Sequence, residues 1–98
     1  MNEKENQKQE PGKIRDLGFY FLNLLSAKAW QYLGLMVHPE NGKIQVDLEE
    51  ARKAIDLYSV VLESIKKDLV KDELRELELH LSNLQLNFVE KMKELARG

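Results

Sequence analysis

Residues 17–37 read LGFYFLNLLSAKAWQYLGLMV, and this stretch decides how the chain folds. Its most regular apolar stripe advances by alternating steps of four and three residues, the spacing of an α-helix, at Gly18, Leu22, Leu25, Ala29, Tyr32 and Met36. Apolar side chains also fill two further sides of the same helix, with the few polar residues scattered among them. A helix that is apolar on most of its circumference is surrounded either by protein or by lipid.

Lipid is the weaker alternative for this segment. The stretch is barely long enough to span a bilayer, and Lys28 near its middle costs about 2.5–3.5 kcal/mol on the insertion scale. A peripheral anchor needs a cationic face opposite the apolar one, and the segment holds a single lysine. We therefore expect protein around this helix and no membrane span.

Two further helices follow, so that the predicted helices cover residues 14–36, 47–67 and 71–96. Asp47 is well placed as the N-cap of the second helix, with Glu49 and Glu50 in its first turn. The apolar stripe of the second helix is formed by Leu48, Ala51, Ile55, Tyr58, Leu62, Ile65 and Leu69. The apolar stripe of the third helix is formed by Leu74, Leu77, Leu81, Leu84, Phe88 and Leu95. The second stripe follows the helical period without a fault, and the third follows it except between Phe88 and Leu95, where Lys91 occupies the intermediate position. Both patterns predict an all-α fold.

The connection between the first two helices contains Gly34, the His38-Pro39 pair and the Asn41-Gly42 turn. A residue before proline avoids the helical region, so the helix cannot continue through His38. Asn-Gly is a hairpin signal, but no matching strand precedes it, and a loop is the preferred prediction.

The amino-acid composition limits the domain organisation and the classes of function that the chain can have. Residues 1–13 are almost entirely polar and predict a disordered tail, which leaves residues 14–98 as one helical domain. The net charge of −2 does not favour nucleic-acid binding. Cysteine is absent, which removes disulfides, thiolate metal sites and cysteine nucleophiles and fits a cytoplasmic protein.

Residues suited to catalysis are sparse. His80 and Glu76 are one helical turn apart and could supply two metal ligands or an acid–base pair, but no further histidine or any cysteine completes a site within that helix. His38 is interpreted as a loop residue. The sequence therefore predicts no catalytic, cofactor-binding or metal-binding residues and no cofactor.

The middle of the chain resembles a known family. It contains Ala29-Trp30-Gln31-Tyr32-Leu33-Gly34, then Pro39-Glu40-Asn41-Gly42-Lys43, then Asp47-Leu48 with Ala51, Ile55-Asp56, Glu63, Lys66, Leu69 and Glu73. This pattern, from about Leu17 to Leu74, resembles a small bacterial family catalogued as domain of unknown function eighteen-forty-four. The chain departs from the family pattern at Asn41, at Lys67-Asp68 and at Val70, where a capping threonine is usual. The resemblance implies a cytosolic, all-helical protein without assigned activity or catalytic residues.

These observations predict an antiparallel three-helix bundle with the first helix at its centre. Because two neighbouring helices cover at most two of its three apolar sides, we expect a non-enzymatic interaction module that forms a homo-oligomer, with a dimer favoured, or binds an unidentified protein partner. The candidate interface, built around the aromatic Trp30, is Phe19, Leu22, Ala29, Trp30, Leu33 and Val37.

Two alternatives remain open. The bundle could bind a small molecule or lipid in a pocket between its helices, lined by Phe21, Leu25, Tyr32 and Tyr58. An enzyme built on His80 and Glu76 would need a second subunit to supply further groups.

Overall fold

The computed structural model describes residues 11–98. Within this range the chain forms helices α1 (Ile14–Tyr32), α2 (Leu48–Ile65) and α3 (Lys71–Arg97), with a 3-10 turn at Lys66–Asp68. Residues 11–98 contain no strand, so the predicted all-α class is confirmed. Residues 1–10 of the predicted tail lie outside the described residues.

The helix at the centre of the bundle is α2, not α1. Its buried stripe runs along its whole length, through Ala51, Ala54, Ile55, Tyr58, Leu62 and Ile65. The backbones of α1 and α3 both pack against α2, α1 more extensively than α3, and α1 and α3 approach each other least. The two alanines remove side-chain bulk and permit this close packing, whereas α1 turns only one of its apolar sides inward. The expectation that the first helix is central is therefore wrong.

Helices α1 and α2 pack antiparallel and very closely. A Cβ atom placed on Gly18, near the start of α1, would lie 2.8 Å from Cγ2 of Ile65 at the end of α2. At the opposite end, the backbone N–H of Asp47 donates to the carbonyl of Tyr32 at 2.8 Å. Asp47 also caps α2, as predicted, because its carboxylate accepts the N–H of Glu50 at 3.1 Å.

Helix α1 ends at Tyr32, four residues before the predicted boundary at Met36. The cause is Gly34, which adopts a left-handed φ of 81°. The N–H of Gly34 donates to the carbonyl of Gln31, and the N–H of Leu35 donates to that of Trp30, both at 3.0 Å. This is a Schellman motif, which satisfies the last carbonyls and turns the chain away from the helix axis.

The loop after α1 contains one backbone bridge. His38 and Lys43 pair across the Asn41-Gly42 turn, with the N–H of His38 donating to the carbonyl of Lys43 at 2.8 Å. The pairing extends no further within residues 11–98, so the segment remains a loop with a minimal hairpin at its tip.

Helix α3 begins after Val70, which caps it without a side-chain acceptor. Glu73 reaches back to accept the N–H of Val70 at 3.0 Å, and Arg15 of α1 donates to its other oxygen at 2.6 Å. Both contacts lower the pKa of Glu73, and the hydrogen bond from Val70 has the larger effect. Asp68 does not cap α3; its carbonyl accepts a hydrogen bond from Arg15 Nε at 3.2 Å.

Gly34 and Gly42 both adopt a left-handed conformation, but we expect them to tolerate substitution by alanine differently. Gly42, at φ 67°, has open space around a new Cβ atom, so Gly42→Ala should cost about 1 kcal/mol of unfolding free energy for the backbone alone. A Cβ atom at Gly34 would lie 2.6 Å from Cγ2 of Val46, so Gly34→Ala adds a collision and should cost about 2–3 kcal/mol. Urea denaturation of both variants measures the difference. Equal losses would contradict the Schellman role of Gly34.

Candidate association surface

The side of α1 that points away from the core is apolar and open to solvent. It carries Leu17, Tyr20, Phe21 and Leu24, and the adjoining surface of α2 carries Leu57 and Val60. These six side chains, here called the outer apolar face, are between 43% and 59% exposed. The face exists because Gly18, Leu22 and Ala29 on the opposite side of α1 already satisfy the packing against the bundle.

The centre of the outer apolar face is a groove between α1 and α2. Its volume is about 390 Å³, and its walls are the apolar side chains Phe21, Leu24, Leu25, Leu57 and Val61. Tyr20 lies beside it, with its ring centroid 6.1 Å from that of Phe21. The six side chains of the face leave on the order of 500 Å² of apolar surface in water, the upper part of the range for the largest patch on a monomer.

Charged side chains border this face at one end, and they are paired. Lys28 donates a hydrogen bond to Glu40, and this bond is the main reason that the pKa of Glu40 is lowered. Lys53 forms an ion pair with Glu50 at 2.8 Å, which raises the pKa of the lysine. This edge therefore offers a nearly neutral polar rim to whatever covers the apolar centre.

The six predicted interface residues do not share one exposed surface. Leu22, Ala29 and Leu33 are buried within the bundle, Phe19 and Trp30 are half-buried, and Val37 is exposed. Phe19 also lies under the guanidinium of Arg15, whose Cζ is 5.0 Å from the ring centroid. The interface formed by all six residues therefore remains a prediction. A partner can contact only Phe19, Trp30 and Val37 without opening the bundle.

A polar cluster joins the three helices at the middle of the bundle. Ser26 Oγ of α1 and His80 Nε2 of α3 are hydrogen-bonded at 2.6 Å. The His80 ring centroid lies 5.7 Å from that of Tyr58 on α2 and 6.2 Å from that of Trp30 on α1. Sequence reasoning missed Ser26, because nothing in a single chain signals a contact across 54 positions.

This cluster borders a shallow cavity of about 340 Å³, whose lining includes Asn23 and Glu76. A hydrogen-bonded serine and histidine have the geometry of a nucleophile and its base. Among residues 11–98, however, no carboxylate is hydrogen-bonded to the His80 ring to orient it, and the aromatic neighbours hold the ring as a packing element. Burial raises the pKa of the neighbouring Tyr58 to about 12.

The residues proposed for a ligand pocket lie in different places. Phe21 and Leu25 line the groove of the outer apolar face, and Leu25 and Tyr32 line a shallow depression next to it. Tyr58 borders the cavity beside His80 instead. The structure therefore does not bring these four side chains to one cavity.

His38 has a structural place in the loop. It is buried, its Nε2 donates to the carbonyl of Gln45 at 2.9 Å, and its ring lies 5.0 Å from that of Tyr32. In the described part of the chain, no three histidine, aspartate or glutamate side chains are close enough to hold a metal ion. None of the helices formed by residues 11–98 combines the length and hydropathy needed to cross a membrane.

The chain matches a known family over most of its length. The model of a family described as a domain of unknown function, DUF1844, matches residues 17–90. This range contains the whole outer apolar face and most of α3. No curated protein and no solved structure matches the chain.

Proposed function

The chain belongs to the DUF1844 family, whose description assigns no activity, and from this premise we propose that it is a non-enzymatic module that associates with a second copy of itself through the outer apolar face. The observation that carries the proposal is the size of that face. A standard protein interface buries about 800 Å² per partner, of which roughly 60% is apolar. The outer apolar face, at about 500 Å², supplies the apolar part of one such interface.

The composition of the face also supports a second copy as its occupant. Each copy offers two adjacent aromatic side chains, Tyr20 and Phe21, next to a groove that can accept an apolar group. In a twofold dimer the aromatic groups of each copy meet the groove of the other, so a single surface is complementary to itself. A net charge of −2 per chain produces little repulsion between copies.

The non-enzymatic part of the proposal is supported by the surroundings of the Ser26–His80 pair, which favour a structural role for it. This is the one arrangement among residues 11–98 with the geometry of a nucleophile and its base, and it lies where the three helices meet. Its packing against Trp30 and Tyr58 supports a role in holding the helices together.

A second candidate occupant is an alkyl chain. The groove has the volume of a small ligand site, about 390 Å³, and purely apolar walls. Ligand sites usually add a few polar groups that orient the ligand, and this groove has none in its lining, which favours a protein surface. Native mass spectrometry of the purified chain tests this candidate, because a bound lipid adds a discrete mass.

The decisive experiment places charge in the groove. The double variant Leu24→Glu, Leu57→Glu puts two carboxylates per chain into the proposed interface, and we expect the association constant to fall at least about 100-fold. Sedimentation velocity over a range of concentrations measures this constant. Both residues are about half exposed in the single chain, so the fold should survive, which circular dichroism checks.

The control is Leu79→Glu, at a leucine on α3 that is 60% exposed and lies outside the outer apolar face. We expect its association constant to equal that of the unmodified chain. If the groove variant associates as strongly as this control, the outer apolar face is not the interface.

A further inference from the structure

The turn at the tip of the loop between α1 and α2 joins two residues that can react with each other. Asn41 directly precedes Gly42, and both are exposed to solvent. Gly42 adopts a φ of 67°, in the left-handed region that favours glycine, so the turn itself selects a residue without a side chain at this position. The backbone nitrogen that follows Asn41 is therefore not shielded by a Cβ atom.

An asparagine followed by glycine can lose its side-chain amide without an enzyme. The nitrogen of Gly42 attacks Cγ of Asn41, a new N–C bond closes a succinimide ring, and Nδ2 leaves as ammonia after solvent transfers the proton of the attacking nitrogen to it. Water then opens the ring at either carbonyl and gives aspartate or isoaspartate. Water is the only other reactant, and it reaches the exposed turn freely.

The asparagines in the helices lack this arrangement. Asn23, Asn83 and Asn87 lie within α1 or α3, and each precedes a leucine or a phenylalanine. The backbone nitrogen that follows each of them is hydrogen-bonded within its helix and carries a bulky side chain. Among residues 11–98, Asn41 is therefore the asparagine suited to this reaction.

The folded loop holds both reacting groups in hydrogen bonds. The N–H of Gly42 donates to the carbonyl of His38 at 2.7 Å. The Asn41 side chain donates from Nδ2 to Oε1 of Gln45 at 2.7 Å and accepts the N–H of Lys43 on Oδ1 at 3.0 Å. The ring can close only after the nitrogen has lost the proton that it shares with His38 and the amide has left its two partners. The reaction therefore requires local opening of the loop.

We infer that Asn41 is a self-deamidation site whose reaction is gated by opening of this loop. The product does not restore the closed loop. A carboxylate oxygen replaces the Nδ2 donor, so the bond to Oε1 of Gln45 is lost, and a negative charge is added next to Glu40. Isoaspartate also lengthens the backbone of the turn that pairs His38 with Lys43. The modification is a one-way loosening of the loop, and it does not involve the outer apolar face.

Peptide mass spectrometry of the full chain, incubated at mildly alkaline pH, measures the reaction. Trypsin releases Asn41 within the peptide 29–43, and conversion appears as the mass gain of an amide that becomes an acid. In the folded chain we expect conversion at Asn41 and none at Asn23, Asn83 or Asn87 over the same time. In urea, where the loop is open, the rate at Asn41 should be at least about 10-fold higher than in the folded chain.

The variant Gln45→Ala tests the gate. It removes the partner of Asn41 Nδ2 and leaves both reacting groups in place, so the rate in the folded chain should rise about 3- to 10-fold. The control is Gln85→Ala, at an exposed glutamine of α3, and its rate should equal that of the unmodified chain. In urea, Gly42→Ala should slow the reaction, because its methyl group shields the attacking nitrogen.

The outcomes separate the site from its gate. If Asn41 is not converted even in urea, there is no site. If the folded and unfolded chains react at the same rate, or Gln45→Ala reacts as slowly as Gln85→Ala, the loop does not gate the reaction. Hydrogen exchange of the deamidated chain, isolated by ion exchange, checks the loosening. The amides of His38 and Gly42 should exchange faster than in the unmodified chain, and unchanged exchange would mean that the loop closes again.

Discussion

Leu84→Ala should lower the free energy of unfolding by about 2–5 kcal/mol, the usual cost of a cavity left by a fully buried leucine. Leu84 is 0% exposed and belongs to the core cluster with Leu22, Ile55 and Tyr58. It is also the one α3 side chain that residues 11–98 bury completely, so little else in α3 can compensate for its loss. Urea denaturation of the two proteins measures the change.

The control for this prediction is Leu86→Ala. Leu86 lies two residues further along the same helix and is 59% exposed, so its truncation should change stability by less than about 0.5 kcal/mol. Comparable losses for the two variants would contradict the position of α3 on the bundle.

Raising the pH from 10 to 12 should destabilise the protein by about 2 kcal/mol through Tyr58 alone. Burial raises the pKa of Tyr58 from 10.0 to about 12, because the phenolate is poorly solvated beside the core. Below pH 10 the phenol is neutral in both states, and the contribution is fully present. Above pH 10 the unfolded chain releases this proton and the folded chain retains it, so stability is lost until the pH passes 12.

Tyr58→Phe isolates this effect from the lysines that titrate in the same range. The variant keeps the ring beside His80 and removes the ionisable hydroxyl, so its stability should fall less steeply between pH 10 and pH 12. Parallel urea titrations of the two proteins at several pH values give the difference. Identical slopes would mean that Tyr58 is not buried as described.

The sequence alone predicts the helices well, because each has a strong periodic stripe. Asp47 is identified correctly as a cap from residue type and position, and the structure shows its carboxylate on the N–H of Glu50. The end of α1 is less accurate. Leu35, Met36 and Val37 continue the apolar pattern, whereas the left-handed conformation of Gly34 ends the helix first.

The orientation of α1 could not be predicted from periodicity. An apolar stripe identifies a side that avoids water but does not distinguish a side that faces α2 from one that faces another molecule. Leu17 and Leu24 lie on the apolar sides that the sequence shows beyond the main stripe, and both remain exposed. The choice depends on Gly18, where the close approach of Ile65 fixes the side that packs inward.

The Ser26–His80 contact shows a different limit. Its two residues lie on α1 and α3, the pair of helices with the fewest mutual contacts, and each is unremarkable in its local sequence. Only the packing of both helices on α2 brings the hydroxyl to the imidazole. Long-range polar pairs of this kind depend on the tertiary arrangement and not on any local pattern.

The most direct test of self-association is the absolute mass of the full chain, measured by light scattering on a size-exclusion peak over a range of concentrations. The outer apolar face predicts two chains per particle at high concentration, with a chain mass of 11.4 kDa. A mass of 11.4 kDa at every concentration would contradict the account, because the outer apolar face would then remain exposed in a monomer.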